Sequence, residues 1–150
     1  MSVSPAPVRL EMVSEAVRSD PRFEVSTVEL DRGGPSYMID TVRALRGVLP
    51  DAELFLILGA DQVRDFPGWR EPEQIVRHVQ LAVMDREGES ARALARGVPG
   101  GDRAVFVPVR RVDVSSTEIR DAIRSGAPLG DRVPRGVAAI IEREGLYSAP

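Results

Sequence analysis

The residues best suited to chemistry lie in Asp113-Val114-Ser115-Ser116-Thr117-Glu118-Ile119-Arg120, where adjacent hydroxyls open a helix that follows a strand. Unbonded backbone N–H groups and the positive end of the helix dipole make such a terminus an anion site, and the hydroxyls of Ser115, Ser116 and Thr117 add donors. Arg120 points the same way, because a cation in the first turns opposes the dipole unless an anion sits nearby. The same residues also spell a capping box, Ser115 with Glu118, and leave Arg120 reaching into water. On pattern alone that is the simpler account.

Two further segments carry polar and aromatic groups at sites where ligands bind. Gly59-Ala60-Asp61 ends the most apolar run of the chain and is followed by Phe66-Pro67-Gly68-Trp69. An acid at a strand's carboxyl end can accept hydrogen bonds from a ribose, and an indole can stack on a flat heterocycle. The alternative is that Asp61 caps the next helix and that Trp69, the only tryptophan, plugs a loop into the core. Gly33-Gly34-Pro35-Ser36-Tyr37-Met38-Ile39-Asp40-Thr41 turns into a helix start that can hold a carboxylate or phosphate, though an ordinary capped helix explains it equally well. His78, the only histidine, falls at the end of a predicted helix and is read as structural or surface, without a catalytic role.

Positioning these groups requires strands that deliver them and helices that follow. Leu54–Leu58, Leu81–Met84 and Ala104–Val107 are continuous apolar runs of strand length, as parallel strands buried on both faces require. Helices are predicted near 71–78 and 89–96 between them. Strands alternating with helices give a doubly wound α/β sheet, whose ligands bind beyond the carboxyl ends of the strands. Upstream, apolar spacing predicts a helix over 8–18, then a short strand over 23–28. Ser36 is expected to cap a helix carrying Met38, Val42 and Leu45. Downstream, one helix begins at Ser115 and stops at Gly126; another starts with Pro134 and stops at Gly145.

Composition narrows the classes. With 150 residues, 43% of them hydrophobic, the chain has room for one domain around one core. A net charge of -3 gives no basic footprint for nucleic acid, so phosphate recognition must be local. All 20 basic residues are arginine. The chain has no cysteine, which excludes disulfides, thiolate catalysis and cysteine-built zinc sites. No apolar stretch is long enough to span a bilayer and no secretory signal opens the sequence, so a cytoplasmic location without membrane association is expected.

Taken in order, these segments resemble the bacterial nicotinate mononucleotide adenylyltransferases of the nucleotidyltransferase superfamily. The matching residues are Arg9 with Met12, Gly34-Pro35-Ser36-Tyr37 with Asp40-Thr41, Gly59-Ala60-Asp61, Trp69, Arg86, Ser115-Ser116-Thr117 with Ile119-Arg120, Val133-Pro134 with Val137, and Leu146-Tyr147. Their ordered co-occurrence turns the reading of Ser115–Arg120 toward phosphate. The resemblance implies a Rossmann-like parallel sheet of the nucleotidyltransferase type and adenylyl transfer from ATP to nicotinate mononucleotide. Magnesium would be held through the ATP phosphates. It assigns Ser115, Ser116, Thr117 and Arg120 to ATP, and Tyr37, Met38, Asp61 and Trp69 to the nicotinate nucleotide, with backbone contributed at Tyr37 and Met38.

Two departures accompany the resemblance. Met38 stands where the family usually has threonine, removing a hydroxyl. The family's first strand, with the HxGH motif that stabilises the transition state, has no counterpart in the sequence. The polypeptide is therefore expected to begin upstream of Met1. Residues 1–150 alone are expected to form an N-terminally incomplete domain with little or no adenylyl transfer, and strand 53–58 should present an exposed apolar edge. The alternatives are a nucleotide-binding module without turnover, or a sister adenylyltransferase such as the pantetheine-phosphate enzyme, against which Trp69 argues.

Overall fold

The computed structural model describes residues 4–85, 89–110 and 112–148, with the backbone alone of Asp85, Glu89 and Ser90. Arg86, one of the residues carrying the resemblance, lies outside them. Residue contacts group into two units, 31–111 and 1–30 with 112–150.

In unit 31–111 the three apolar runs form β1 (Phe55–Leu58), β2 (Gln80–Asp85) and β3 (Val105–Pro108), all parallel, in the order β1-β2-β3. Parallel neighbours need crossovers, and helices supply them: α4 (Ala60–Asp65) and α5 (Pro72–His78) join β1 to β2, and α6 (Glu89–Ala95) joins β2 to β3. α3 (Met38–Val48) precedes β1 and packs on α5. Ile39, Val63, Phe66, Ile75, Leu81 and Val83 are almost wholly removed from water and form the centre of the core.

One clamp fixes the amino ends of the strands. The Arg46 guanidinium donates to Pro50 O at 3.2 Å, to Ala52 O at 2.6 Å and to His78 O, so the end of α3, the turn into β1 and the end of α5 share one cation. The backbone at His78 thus has a structural task.

Burial on both faces holds for β2 alone, where Leu81, Ala82 and Val83 are all buried. In β1, Leu58 faces the core while Phe55 and Ile57 are 45% and 66% exposed; Val105 and Val107 of β3 are exposed as well. The register sets Ile57, Ala82 and Val105 side by side, so these exposed residues share one face of the sheet. An apolar run states what a strand tolerates on each side, not what covers it. Among the described residues β1 is an outer strand, so the open edge expected at 53–58 is present, whereas the exposed Phe55 and Ile57 lie on a face of the sheet.

In the other unit, α1 (Ala6–Val17) packs on α8 (Arg135–Arg143). The contact is close at Gly136, where an added Cβ would lie 2.0 Å from Glu15 Oε1. It is fastened by Arg143 to Glu11 at 2.6 Å, while Ser4 Oγ donates to the Tyr147 hydroxyl at 2.9 Å. α7 (Ser116–Arg124) stops as predicted. Gly126 takes φ +69°, and the Ala127 amide returns to Ala122 O at 2.9 Å.

Two local expectations are corrected. Residues 23–27 form no strand, and α2 (Val28–Arg32) follows them. The alternation of Phe23, Val25 and Thr27 cannot hold an extended segment without ladder partners. Instead the Ser26 hydroxyl accepts the Val28 amide at 3.4 Å and turns the chain into the helix. Ser36 does not cap α3; Tyr37 holds the cap position without a side-chain bond, and its carbonyl accepts the amides of Asp40 and Thr41 at 3.0 and 3.3 Å. No helix among the described residues is long and apolar enough to cross a membrane.

Candidate functional site

At the carboxyl end of β1 the chain passes through Gly59 into α4. Gly59 occupies the cap position, and its amide donates to Gln62 Oε1 at 2.9 Å. Asp61 is therefore not the cap. Its side chain stands 85% exposed in the first turn, where Arg64 Nη1 donates to Oδ1 at 3.1 Å. The 3-10 turn Phe66–Gly68 follows directly and aims Trp69.

Trp69 is half-buried, and the reading that it plugs its loop into the core holds in part. One edge leans on the fully buried Phe66 ring, with centroids 5.3 Å apart and planes at 65°, so the core holds the indole while part of it stays exposed. The next residue, Arg70, lays its guanidinium over the Tyr37 ring at 4.7 Å. Glu71, in the left-handed region at φ +53°, pairs with Arg43 of α3 at 2.8 Å. The structure thereby brings the start of α3 to the Trp69 loop. Met38 turns its side chain toward the core cluster. Arg43 and Arg70 were not singled out from sequence, and only the adjacency of Arg70 to Trp69 could have pointed to it.

The residues assigned to phosphate form the start of α7. Ser115 adopts extended backbone at the cap, and the capping box closes in both directions: Glu118 N donates to Ser115 Oγ at 3.1 Å, and Ser115 N to Glu118 Oε2 at 2.8 Å. The capping account is thus present, and it does not consume the terminus. The amides of Ser116 and Thr117 have no hydrogen-bond partner among the described residues, and Ser115, Ser116 and Thr117 are exposed. Arg120 Nη2 lies 3.4 Å from Thr117 Oγ1, whereas its Nε is buried without a partner.

The Ser115 hydroxyl and then its amide, with a smaller attraction from Arg132, hold the Glu118 carboxyl below the ordinary glutamate value. A carboxyl depressed by folding stabilises above its unfolded value, and that contribution is lost as pH falls through the folded one. Ser115→Ala is expected to cost ~1 kcal/mol in urea unfolding at neutral pH. Glu118→Gln should flatten the acid limb of thermal midpoints measured over roughly pH 3–7; an acid limb identical to wild type would show that the box contributes nothing to it.

Residues 2–122 match the family model described as cytidylyltransferase-like. A probable nicotinate-nucleotide adenylyltransferase of Thermus thermophilus is 43% identical over 145 residues, covering 97% of this chain and 75% of that one. A probable nicotinate-nucleotide adenylyltransferase of Corynebacterium kroppenstedtii is 40% identical over 146 residues, covering 97% and 69%. Among solved structures, Plasmodium falciparum nicotinic acid mononucleotide adenylyltransferase complexed with APC superposes with a TM-score of 0.74 at 15% identity, covering 98% of this chain and 78% of that one. That likeness establishes the Rossmann-like nucleotidyltransferase fold. By its sequence kinship, the chain belongs to the nicotinate-nucleotide adenylyltransferase family of cytidylyltransferase-like proteins.

Proposed function

We infer that these residues bind ATP and nicotinate mononucleotide for adenylyl transfer in NAD biosynthesis. A 5′-phosphate oxygen of the mononucleotide attacks the α-phosphorus of ATP, the bond to the bridging oxygen breaks, and deamido-NAD and pyrophosphate result. The observation that carries the reading is the start of α7, where two amides without a partner among the described residues, the exposed residues Ser115, Ser116 and Thr117, and the Nη2 end of the Arg120 guanidinium gather at one end of a helix. That donor set suits phosphate oxygens, and Ser115, Ser116, Thr117 and Arg120 are assigned to the ATP phosphates. Tyr37, Met38 through its amide, Asp61 and Trp69 are assigned to the mononucleotide. Holding both substrates lowers the barrier by positioning.

Magnesium, held through the ATP phosphates these hydroxyls and amides grip, would supply positive charge to share the triphosphate's negative charge. A cytoplasmic location belongs to the same reading. A second reading, nucleotide binding without turnover, attaches to residues 1–150 taken alone, in which His78 is the only histidine and no HxGH occurs.

Titration of residues 1–150 with each nucleotide by calorimetry, together with pyrophosphate release when both are present, tests the two readings. Binding of both nucleotides is expected, with transfer near background. Failure to bind either would sink the assignment of both segments, and sustained pyrophosphate release would dispose of the second reading.

A further inference from the structure

We propose that Arg70 selects a carboxylate over a carboxamide on the pyridine ring of the mononucleotide, an inference that rests on assigning the Tyr37 and Trp69 region to that ligand. The guanidinium carbon lies 4.7 Å from the Tyr37 centroid, so one flat face is covered by the ring and the side chain is pre-oriented with its N–H edge available. The carboxylate beside it forms only a loose ion pair with that edge: Glu71 Oε1 stands 3.9 Å from Arg70 Nε, beyond hydrogen-bond reach, and Glu71 Oε2 is taken by Arg43 at 2.8 Å. The Arg70 side chain is 55% exposed and reachable from solvent.

Its position supplies the rest of the argument. Arg70 directly follows Trp69, whose indole is the stacking surface for a flat ring, so a substituent on a stacked pyridine falls within the neighbourhood of the guanidinium. Tyr37 is also the cap of α3, where the amides of Met38 and Ile39 have no hydrogen-bond partner among the described residues. Asp40 already places one acid in the first turn of α3. A second anion there gains less from the dipole and is helped by a cation alongside. A carboxylate meets the guanidinium fork with two acceptors, whereas a carboxamide presents one acceptor and an NH2 group that faces donors. Nicotinate mononucleotide is therefore preferred over nicotinamide mononucleotide even though Met38 offers no hydroxyl.

Trp69 is the only tryptophan, so its emission reports occupancy of the pocket directly. The test is fluorescence titration of the full chain with each mononucleotide for wild type, Arg70→Ala, Arg70→Lys and Arg70→Gln, with thermal melts by circular dichroism alongside. Wild type is expected to bind the acid more tightly. Arg70→Ala should lose roughly 10-fold or more in affinity for the acid and less than about 2-fold for the amide. Lysine should restore only part of the preference, because it keeps the charge without the fork. Arg70→Gln serves if the alanine chain melts early.

Equal weakening of both mononucleotides would overturn the proposal, since the guanidinium would then meet the shared 5′-phosphate or merely hold the loop. A preference retained in Arg70→Ala, or absent from wild type, would overturn it as well. The broader reading fails in a different way: if neither mononucleotide alters wild-type Trp69 emission, the pocket assignment falls, and the role of Arg70 falls with it.

Discussion

Phe66→Ala is expected to destabilise the chain by about 3–5 kcal/mol, the range for removing a large aromatic from a core that only partly collapses. Phe66 is 0% exposed and sits among Ile39, Val63, Ile75 and Leu81, so the vacated volume is lined by side chains held by their own helices and strand. Whole domains are stable by only about 5–15 kcal/mol, so the loss is large enough to leave a marginal fold. The same ring supports Trp69, and an edge-to-face pair adds roughly 0.5–1.5 kcal/mol beyond burial. Urea unfolding followed by circular dichroism and by Trp69 emission measures both effects. Phe66→Leu separates them: it should cost under about 1.5 kcal/mol while weakening mononucleotide-induced quenching, because volume is nearly kept and the ring contact is lost. A cost below about 1 kcal/mol for alanine would show that Phe66 is not the joint between core and pocket.

What the sequence made legible follows from how local each cause is. The three strands and their parallel direction were readable because apolar runs of strand length separated by helices leave few other solutions. The cap at Ser115 and the stops at Gly126 and Gly145 were readable because they depend on neighbours within a few residues. The absent strand at 23–27 was not, since alternation states that a segment could pair and says nothing of a partner. Exposure of Phe55 and Ile57 was missed for the same reason: burial belongs to what lies opposite. At the site, Trp69 was evident as a residue type, but its edge contact with Phe66 and the placing of Arg70 over Tyr37 depend on the fold bringing α3 to the loop. The pairing of Arg43 with Glu71, 28 residues apart, has no short-range signature at all.

Arg120→Ala should weaken ATP binding by roughly 30- to 100-fold, the range for losing a charge-assisted contact to phosphate. Without ATP, the same substitution should leave the melting temperature unchanged or raise it. Both effects follow from what Arg120 lacks: its Nε is buried without a partner, its Nη2 reaches only the Thr117 hydroxyl at 3.4 Å, and its charge lies near the positive end of α7. Each of these costs free energy in the unliganded chain, and a phosphate at the start of α7 offsets the charge against the dipole and gives Nη2 a strong acceptor. Arginine held there for stability would behave in the opposite sense, lowering the melting temperature on replacement and leaving ATP affinity alone. Arg120→Lys should fall between, since it keeps the charge but cannot present the Nε edge. Thermal melts with and without ATP, paired with calorimetric titration, read both signs on the same samples. A destabilised unliganded chain with unchanged ATP affinity would move the phosphates away from Ser115, Ser116 and Thr117.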